Sequence, residues 1–259
     1  MSNLKIQLRD AAESFAKAGG DSTLDYFRKR VEPEYKEDET PVTIADRNAE
    51  KIIRQKIKQH YPNHGIIGEE FGREGEDREI VWVIDPIDGT QSFIHGIPFY
   101  TTLIGVLINQ KPEVGIVYAP VLDEIISAST GTGASLNGDP IHVRECSNLS
   151  DATFLTTDVT SYAEYGFEKG LDTLLQETKI HRTWGDAYGH MLVAKGLADI
   201  MIDPILSIWD AAALLPILKE AGGSYSDLTG KESIRSGNAL STSFNLKDQI
   251  IDIFQTDDQ

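Results

Sequence analysis

The chain has 259 residues, of which 40% are hydrophobic and 25% charged, and its formal net charge at pH 7 is −17. This length allows one large domain or two packed ones with a substantial core, and the composition is that of a globular protein. A surface this acidic repels nucleic acid and anionic membranes, so neither is expected as a partner. An anionic substrate would need positive charge supplied by a bound cation.

The first part of the chain predicts a helical layer followed by a mainly antiparallel sheet. Apolar residues keep helical spacing over 3–30, with an interruption at Gly19-Gly20, and again over 44–60, whereas the polar stretch 32–41 predicts a loop. Apolar runs rich in β-branched residues then predict strands that end at turns. These runs are "GIIGEEFG", "EIVWVID", "TTLIGVLIN", "PEVGIVYAP" and "EIISAST", followed by the hairpin turn "LNGD".

The second part alternates strands and helices, which favours an α/β layer. The predicted strands are "DATFLTTD", "IHRTWG", "DIMIDP", "GSYSD" and "GNALSTS". The predicted helices are 162–178, "AYGHMLVAKGLA" and "WDAAALLPILKEAGG", the last of which ends at its two glycines. The change of pattern predicts a tight boundary between an N-terminal α+β part at 1–147 and a C-terminal α/β part at 148–259.

The single cysteine, Cys146, excludes an internal disulfide and agrees with a reducing compartment. The first residues lack the apolar centre of a signal peptide, and no apolar run approaches the roughly 20 residues that cross a bilayer. We therefore expect a cytoplasmic protein without membrane association.

The segment "WVIDPIDGTQSF" places two acids around a proline where an apolar strand ends. Asp85, Asp88 and the carbonyl of Ile87 offer oxygen ligands, which suit a hard cation such as Mg²⁺. Gly89 permits a sharp turn, and a helix that begins at Thr90 would present its N–H groups to a phosphate. A plainer interpretation stays open, in which one acid caps a helix and the other marks the end of the strand.

Three other segments place acids at strand ends or helix starts, where side chains from distant parts of a chain can converge. Glu69 and Glu70 follow "GIIG", Asp46 opens the second helix, and Asp210 begins an apolar helix. An EF-hand is excluded because its loop needs an oxygen side chain two positions after Asp85. The six histidines include no pair at zinc-binding spacing, and P-loop and G-x-S-x-G motifs are absent from the sequence.

Together these motifs resemble the inositol monophosphatase family of Mg²⁺-dependent, lithium-sensitive phosphatases. The resemblance extends over about residues 5–250 and rests on "YKEDETPVTIAD", "GEE", "DPIDGT" and "WDAAALLPILKEAGG", which occur in the family's order and spacing. It implies the layered αβαβα sandwich of the sugar phosphatases, a fold between the α+β and α/β classes. It also implies two or three Mg²⁺ ions per site, a small phosphorylated metabolite as substrate, and a homodimer. The stretch "PFYTTLIGVLI" is a candidate apolar edge for the dimer, although a core strand would look the same in sequence.

By position, the resemblance also assigns roles to individual residues. The implied metal ligands are Glu69, Asp85, the carbonyl of Ile87, Asp88 and Asp210. The implied catalytic residues are Glu69, Asp46 and Thr90, of which the last two polarise the attacking water. The N–H groups of Gly89 and Thr90 would bind the phosphate, and Glu70 would lie behind the ligands. Mg²⁺ would neutralise the phosphate dianion and activate the water.

The stretch "RTWGDAYGH" (182–190) resembles the histidinol-phosphatase branch of the family. A carboxylate at Asp186, which would lie at the pocket edge or cap a helix, suits the ammonium of histidinol phosphate, whereas Asp203 would suit the hydroxyls of inositol. Arg182 is a candidate to pair with the phosphate or with a surface acid. Lys36 is expected to be solvated, with an approach to the metal site through its loop as the alternative. The prediction is a histidinol-phosphate phosphatase. An inositol monophosphatase or broad-specificity sugar phosphatase is the alternative, and a non-catalytic metal-binding homologue is the alternative from another class.

Overall fold

The structure is a computed structural model that describes residues 2–29, 32–36 and 41–255. Its elements form five layers in the order helix, sheet, helix, sheet, helix, which confirms the predicted sandwich. The helices of the described residues are α1 (Ser2–Leu24), α2 (Ile44–His60), α3 (Thr90–Ile94), α4 (Ser161–Glu164), α5 (Glu168–Glu177), α6 (Asp186–Ala194), α7 (Ile208–Glu220) and α8 (Lys247–Gln255), with short 3-10 helices at Leu149–Asp151 and Phe244–Leu246.

The strands form two large sheets and one short hairpin. They are β1 (Glu34–Tyr35), β2 (Pro41–Val42), β3 (Gly65–Gly68), β4 (Gly72–Glu74), β5 (Ile80–Asp88), β6 (Thr101–Ile108), β7 (Lys111–Ala119), β8 (Glu124–Ser129), β9 (Ala134–Leu136), β10 (Asp139–Pro140), β11 (Thr153–Thr156), β12 (Ile180–Arg182), β13 (Ile200–Asp203), β14 (Gly223–Ser226) and β15 (Ala239–Ser243). The hairpin pairs β1 with β2.

The first sheet has the order β10-β9-β8-β7-β6-β5-β3-β4. Its neighbours are antiparallel except for β3 and β5, so the mainly antiparallel prediction is confirmed. The predicted hairpin turn joins β9 to β10 at Asn137 and Gly138, whose φ angles of 51° and 90° are both positive, as a tight hairpin turn requires.

The second sheet has the order β12-β11-β13-β15-β14. Strand β11 is parallel to both its neighbours, and β15 is antiparallel to both of its own, which agrees with the predicted α/β pattern. In the sequence, the strands of the first large sheet come before residue 147 and those of the second come after it. One apolar core fills the layer between the two sheets. The division into an N-terminal and a C-terminal domain stays a prediction.

Alternation along the strands explains why both faces of each sheet are covered. In β5, Trp82 packs with α1 and α2, whereas the next residue, Val83, packs in the layer that contains α6 and α7. In β13, Met201 faces that same layer, and Ile202 packs with α5 and α8. Successive side chains of a strand point to opposite faces, so a strand covered on both sides is apolar throughout. Each such side chain contributes about 1.5–3 kcal/mol when fully buried.

Three predicted features differ from the structure. Helix α1 continues through Gly19-Gly20 without interruption and ends at Leu24, because packing against α2 outweighs the low helix propensity of glycine. The predicted helix 162–178 is broken into α4 and α5, and Gly166 between them has a φ of 79°. The predicted loop 32–41 contains β1 and begins β2, and its residues 37–40, like 30–31, lie outside the described part of the chain.

The strand proposed as an apolar dimer edge, β6, lies inside the first sheet between β5 and β7 and is buried over most of its length. That proposal is wrong, because a strand paired on both sides has no edge to offer, and the homodimer itself stays a prediction. Among the described helices, none has the length and apolar character to cross a membrane.

Candidate active site

A bulge near the end of β5 brings the carboxylates of Asp85 and Asp88 together. Asp85 pairs with Leu103 and Asp88 with Thr101, so three steps along β5 match two along β6. Residues three apart on a regular strand face opposite sides, and the extra residue removes this difference. The N–H of Ile87 donates to Oδ1 of Asp85 at 3.0 Å within the bulge.

Asp46 and Asp210 are each the third residue of a helix, where their carboxylates accept a backbone hydrogen bond. The N–H of Thr43 donates to Oδ2 of Asp46, and the N–H of Ser207 donates to Oδ2 of Asp210, both at 2.8 Å. Both pairs are capping boxes, in which side chain and backbone bond reciprocally at a helix N-terminus. The first turns of α2 and α7 therefore position one acid each.

Asp85, Asp88 and Asp210 meet at one point although they are far apart in sequence. One carboxylate oxygen from each lies within 4.8 Å of the others. Burial, together with the neighbouring acids, raises the pKa of Asp85 and Asp88 well above the usual range and that of Asp210 to about 7. Buried carboxylates this close repel one another unless a cation compensates them. Since every donor is an oxygen, the cluster fits a hard divalent cation.

Lys36 forms ion pairs with both acids of the turn after β3. Its Nζ lies 2.8 Å from Oε1 of Glu69 and 2.7 Å from Oε1 of Glu70, so the prediction of a solvated lysine is wrong. Burial alone would lower the pKa of Lys36, but the two carboxylates outweigh this effect and raise it. Burial has the opposite effect on an acid, and it raises the pKa of Glu70 to about 7. The charge of Glu69 also raises the pKa of Asp85, and both residues line the same cavity, so Glu69 lies near the three aspartates.

Thr90 lies between the bulge of β5 and the start of α2. Its hydroxyl contacts the carbonyl of Ile87 at 3.0 Å and Oδ1 of Asp46 at 3.3 Å. The preceding residue, Gly89, has a φ of 79°, which glycine adopts without strain, and caps α3. Burial raises the pKa of Asp46 to about 6 against the lowering effect of its hydrogen bonds from Thr43. The hydroxyl and carboxylate predicted as a catalytic pair are therefore in contact.

The acidic cluster opens into a cavity of about 700 Å³. Beside the acids, Phe99, Trp184 and Ile205 line this cavity. The ring of Phe99 stacks on Tyr188, with centroids 4.8 Å apart and planes 6° from parallel. Trp184 is 45% exposed at the cavity wall. The cavity thus joins an acidic end to an aromatic wall.

Asp186 lies beside the turn at Gly89, on the wall of the same cavity. A Cβ added to Gly89 would lie 2.7 Å from Oδ2 of Asp186, and the hydroxyl of Ser92 is 3.5 Å from the same oxygen. The N–H of Asp186 donates to the hydroxyl of Thr157 at 2.7 Å. Burial raises the pKa of Asp186 to about 7. The residue that caps α6 is Gly185, so the interpretation of Asp186 as the helix cap is wrong.

Asp203 and Arg182 occupy different surroundings. Asp203 is buried, and its carboxylate accepts a hydrogen bond from the hydroxyl of Thr157 at 2.5 Å and lies 3.0 Å from Nε2 of His190. It lines a pocket of about 110 Å³ beside the acidic cluster. The exposed side chain of Arg182 contacts the carbonyl of His181 and is not among the residues that line the main cavity. The structure thus brings Asp203 near the site and does not bring Arg182 there.

Phe99 and Thr157 are two of the cavity residues that the sequence analysis missed. Phe99 lies in an apolar stretch that looks the same as a core strand, so the sequence held no signal for its exposure to the cavity. Thr157 follows β11 directly and bonds both Asp186 and Asp203. The rule that polar side chains at strand ends converge, which identified the acids, would also have identified Thr157.

The fold is a layered αβαβα sandwich that gathers carboxylates at a strand bulge and two helix starts, an arrangement that fits a hard divalent cation. Comparison with known families identifies the class of protein. Residues 5–257 match the inositol monophosphatase family, and the chain belongs to that family. It is accordingly a phosphoric monoester hydrolase, as the resemblance of its sequence motifs to this family implied.

Individual relatives agree on the family and differ in the substrate that they are named for. The histidinol-phosphatase of Chlorobaculum parvum is 41% identical over 235 residues, which cover 90% of this chain and 91% of the relative. Inositol monophosphatase 3 of Solanum lycopersicum is 34% identical over 255 residues, 95% of each chain. The crystal structure of extragenic suppressor protein suhB from Bartonella henselae superposes with a TM-score of 0.90 at 27% identity and covers 96% of this chain and 98% of its own.

Proposed function

We propose that the protein is a Mg²⁺-dependent histidinol-phosphate phosphatase, which hydrolyses its substrate to histidinol and inorganic phosphate. The observation that carries the proposal is the position of the Asp186 carboxylate beside the turn at Gly89, the predicted phosphate-binding turn. In histidinol phosphate the amine is on the carbon next to the one that bears the phosphate ester. A carboxylate that binds this ammonium must therefore lie close to the phosphate site.

The aromatic wall suits the other end of the same substrate. Phe99 and Trp184 offer planar apolar surface to an imidazole ring. The ring of Tyr188 stacks on Phe99, and Nζ of Lys195 lies 5.4 Å from the centre of the Tyr188 ring, so packing holds the Phe99 side of this wall in place. An inositol ring carries a hydroxyl or phosphate on every carbon and has no flat apolar face of this kind to match. The relative from Chlorobaculum parvum named histidinol-phosphatase supports the same choice.

The acidic cluster is the proposed site for two or three Mg²⁺ ions. When bound, Mg²⁺ neutralises the phosphate dianion and lowers the pKa of the attacking water. The residues that would hold it are Glu69, Asp85, the carbonyl of Ile87, Asp88 and Asp210.

The chain's own groups would orient the attacking water and take up its proton. The hydroxyl of Thr90 can accept a hydrogen bond from the water while it donates its own hydrogen to Oδ1 of Asp46, 3.3 Å away. Asp46, whose pKa is about 6, is ionised for most of the time at neutral pH and can receive the proton. Asp186 would orient the ammonium end, so that the phosphorus faces this pair.

The proposal is tested by kcat/KM on one preparation for histidinol phosphate, inositol 1-phosphate and an aryl phosphate, each with and without Mg²⁺. We expect histidinol phosphate to be preferred over inositol 1-phosphate by more than about tenfold, the effect of one good polar contact. A preference for inositol 1-phosphate would reject this substrate in favour of the inositol monophosphatase alternative. Similar values for all three would favour a broad-specificity phosphatase, and release at background in millimolar Mg²⁺ would favour a non-catalytic homologue.

A further inference from the structure

A buried acid of α2, Glu50, holds the turn that carries Glu69. Glu50 follows Asp46 by four residues, so the two side chains lie on the same face of the helix. The Glu50 side chain is fully buried. Its carboxylate accepts hydrogen bonds from the N–H of Glu70 at 2.7 Å and from the N–H of Phe71 at 3.3 Å. These bonds attach the backbone of the turn directly to α2.

Arg54, one further helical turn along α2, extends the same contact. Its Nε donates to Oε1 of Glu50 at 2.6 Å, and its Nη2 donates to the carbonyl of Gly72. The ion pair therefore contacts two N–H groups within the turn and a carbonyl just after it. The last residue of β3 also approaches Glu50 closely, because a Cβ added to Gly68 would clash with Oε1 of Glu50. Glycine at this position makes the contact sterically feasible.

We infer that Glu50 is a positioning residue that sets Glu69 at a defined place relative to Asp46. Because α2 is a continuous helix, it carries the proposed proton acceptor in its first turn and the anchor of the Glu69 turn in the next. Backbone pairing alone attaches Glu69 less firmly, since its N–H donates to the carbonyl of Ile84 at 3.3 Å. The inference rests on the metal site of the proposed function and is independent of the choice of substrate.

Amide hydrogen exchange of the wild-type, metal-free protein tests the contact itself. We expect the N–H groups of Glu70 and Phe71 to exchange as slowly as those of β5, although they lie in a turn, because both donate to a buried acceptor. The turn amides of Glu76 and Asp77, on exposed residues, serve as the comparison. Exchange of Glu70 and Phe71 as fast as that of Glu76 and Asp77 would overturn the inference.

The substitution Glu50→Gln tests the effect on metal binding, and Asp199→Asn is its matched control. Asp199 is also fully buried, and it accepts hydrogen bonds from Nε of Arg144 and from the N–H of Thr153, both at 2.6 Å, in the second sheet. Each substitution removes the charge of a buried carboxylate that pairs with an arginine and a backbone N–H. Both variants should therefore lose thermal stability without metal.

The measurement is the Mg²⁺ concentration that produces half of the Mg²⁺-induced rise in Tm. We expect it to increase by about 10- to 100-fold in Glu50→Gln, the usual effect of losing a group that orients a metal ligand, and to stay at the wild-type value in Asp199→Asn. The inference would be overturned if the wild type and both variants needed the same Mg²⁺ concentration for half of the rise in Tm.

A second variant covers the case in which Glu50→Gln does not fold. Gly68→Ala pushes the turn away from Glu50 and leaves every charge in place, and it should raise the required Mg²⁺ concentration in the same way; an unchanged value would count against the inference. If the wild type shows no Mg²⁺-induced rise in Tm, the metal site of the proposed function fails. The amide exchange in the metal-free protein then still decides whether Glu50 holds the turn.

Discussion

Asp88 at the end of β5 accepts a hydrogen bond from the N–H of Ala187, the second residue of α6, at 2.7 Å. The hydroxyl of Thr101 donates to the same carboxylate oxygen at 3.1 Å. Both bonds use Oδ2, which leaves Oδ1 for a cation. The hydrogen bond from Ala187 also joins the first sheet to α6, whose first residue is Asp186. It therefore fixes the predicted metal ligand Asp88 relative to the predicted substrate-binding residue Asp186.

Removal of one acid from the cluster should stabilise the metal-free protein while it destroys metal binding. In Asp210→Asn the amide oxygen can still accept the N–H of Ser207, and above about pH 7, where Asp210 is ionised, its repulsion with the neighbouring acids is relieved. We expect the Tm without metal to rise by about 2–4 °C for each kcal/mol of repulsion removed. Mg²⁺ should no longer raise the Tm, and phosphate release should fall by at least about 100-fold. A variant with a lower metal-free Tm and a normal response to Mg²⁺ would contradict the proposed site.

The stability of the metal-free protein should decrease as the pH rises through the acidic range. Burial raises the pKa of Asp46 to about 6 and those of Asp186 and Asp210 to about 7, from an ordinary value of 3.8. Because these folded-state values lie above the unfolded ones, their contribution to stability is complete below about pH 4 and is lost as the pH passes 6 to 7.

This pH dependence is measured by denaturant unfolding with a chelator between pH 4.5 and 8, and the slope should be smaller in Asp210→Asn. Saturating Mg²⁺ should reverse the trend, since it binds the ionised carboxylates. A free energy of unfolding that rises over this range without metal would show that the acids are not held in the way described.

Lys36 should compete with Mg²⁺ for the carboxylate of Glu69. In Lys36→Gln the ion pairs with Glu69 and Glu70 are lost, so less Mg²⁺ should be needed for half-maximal activity. Because the lysine is only half-buried, we expect a decrease of about two- to fivefold, the effect of a solvent-screened ion pair. Activity is measured over a Mg²⁺ series, with Lys58→Gln as the control, since Lys58 pairs with Glu74 away from the cavity. A higher Mg²⁺ requirement would mean that Lys36 supports the site instead of competing for it.

The carboxylate of Asp186 should matter for histidinol phosphate and not for phosphate esters in general. Asp186→Asn keeps the shape of the side chain and removes the charge that would bind an ammonium. We expect kcat/KM for histidinol phosphate to fall by about 10- to 100-fold, the value of a hydrogen bond to a charged group, with little loss on an aryl phosphate. Arg182→Gln, outside the cavity, should change neither value. Equal losses on both substrates in Asp186→Asn would argue against an ammonium-binding role.

The sequence indicates where Asp46, Asp85, Asp88 and Asp210 lie because each of these acids comes with a local signal. Asp46 and Asp210 stand three residues after a threonine and a serine, which is the spacing of a capping box. Asp85 and Asp88 end an apolar strand around a proline. Local rules of this kind place a side chain at the end of an element, and the layered fold then brings those ends together.

Contacts between loops and between distant segments were not predictable in this way. Lys36 lies in a polar stretch, and nothing nearby in the chain indicates that it pairs with Glu69. Glu50 stands among charged residues of α2, where an acid is expected to be solvated, and its partner is a turn that follows the next strand. The positive φ of Asp186, 53°, is likewise set by tertiary contacts, because few non-glycine residues adopt it on their own.

The capping box of α7 brings the acid furthest along the chain, Asp210, to those of β5. During synthesis, a growing polypeptide whose residue 210 is still inside the ribosome already contains the strands of the first sheet but lacks one of the proposed ligands. The proposed cation site would therefore be complete only after most of the protein has been translated.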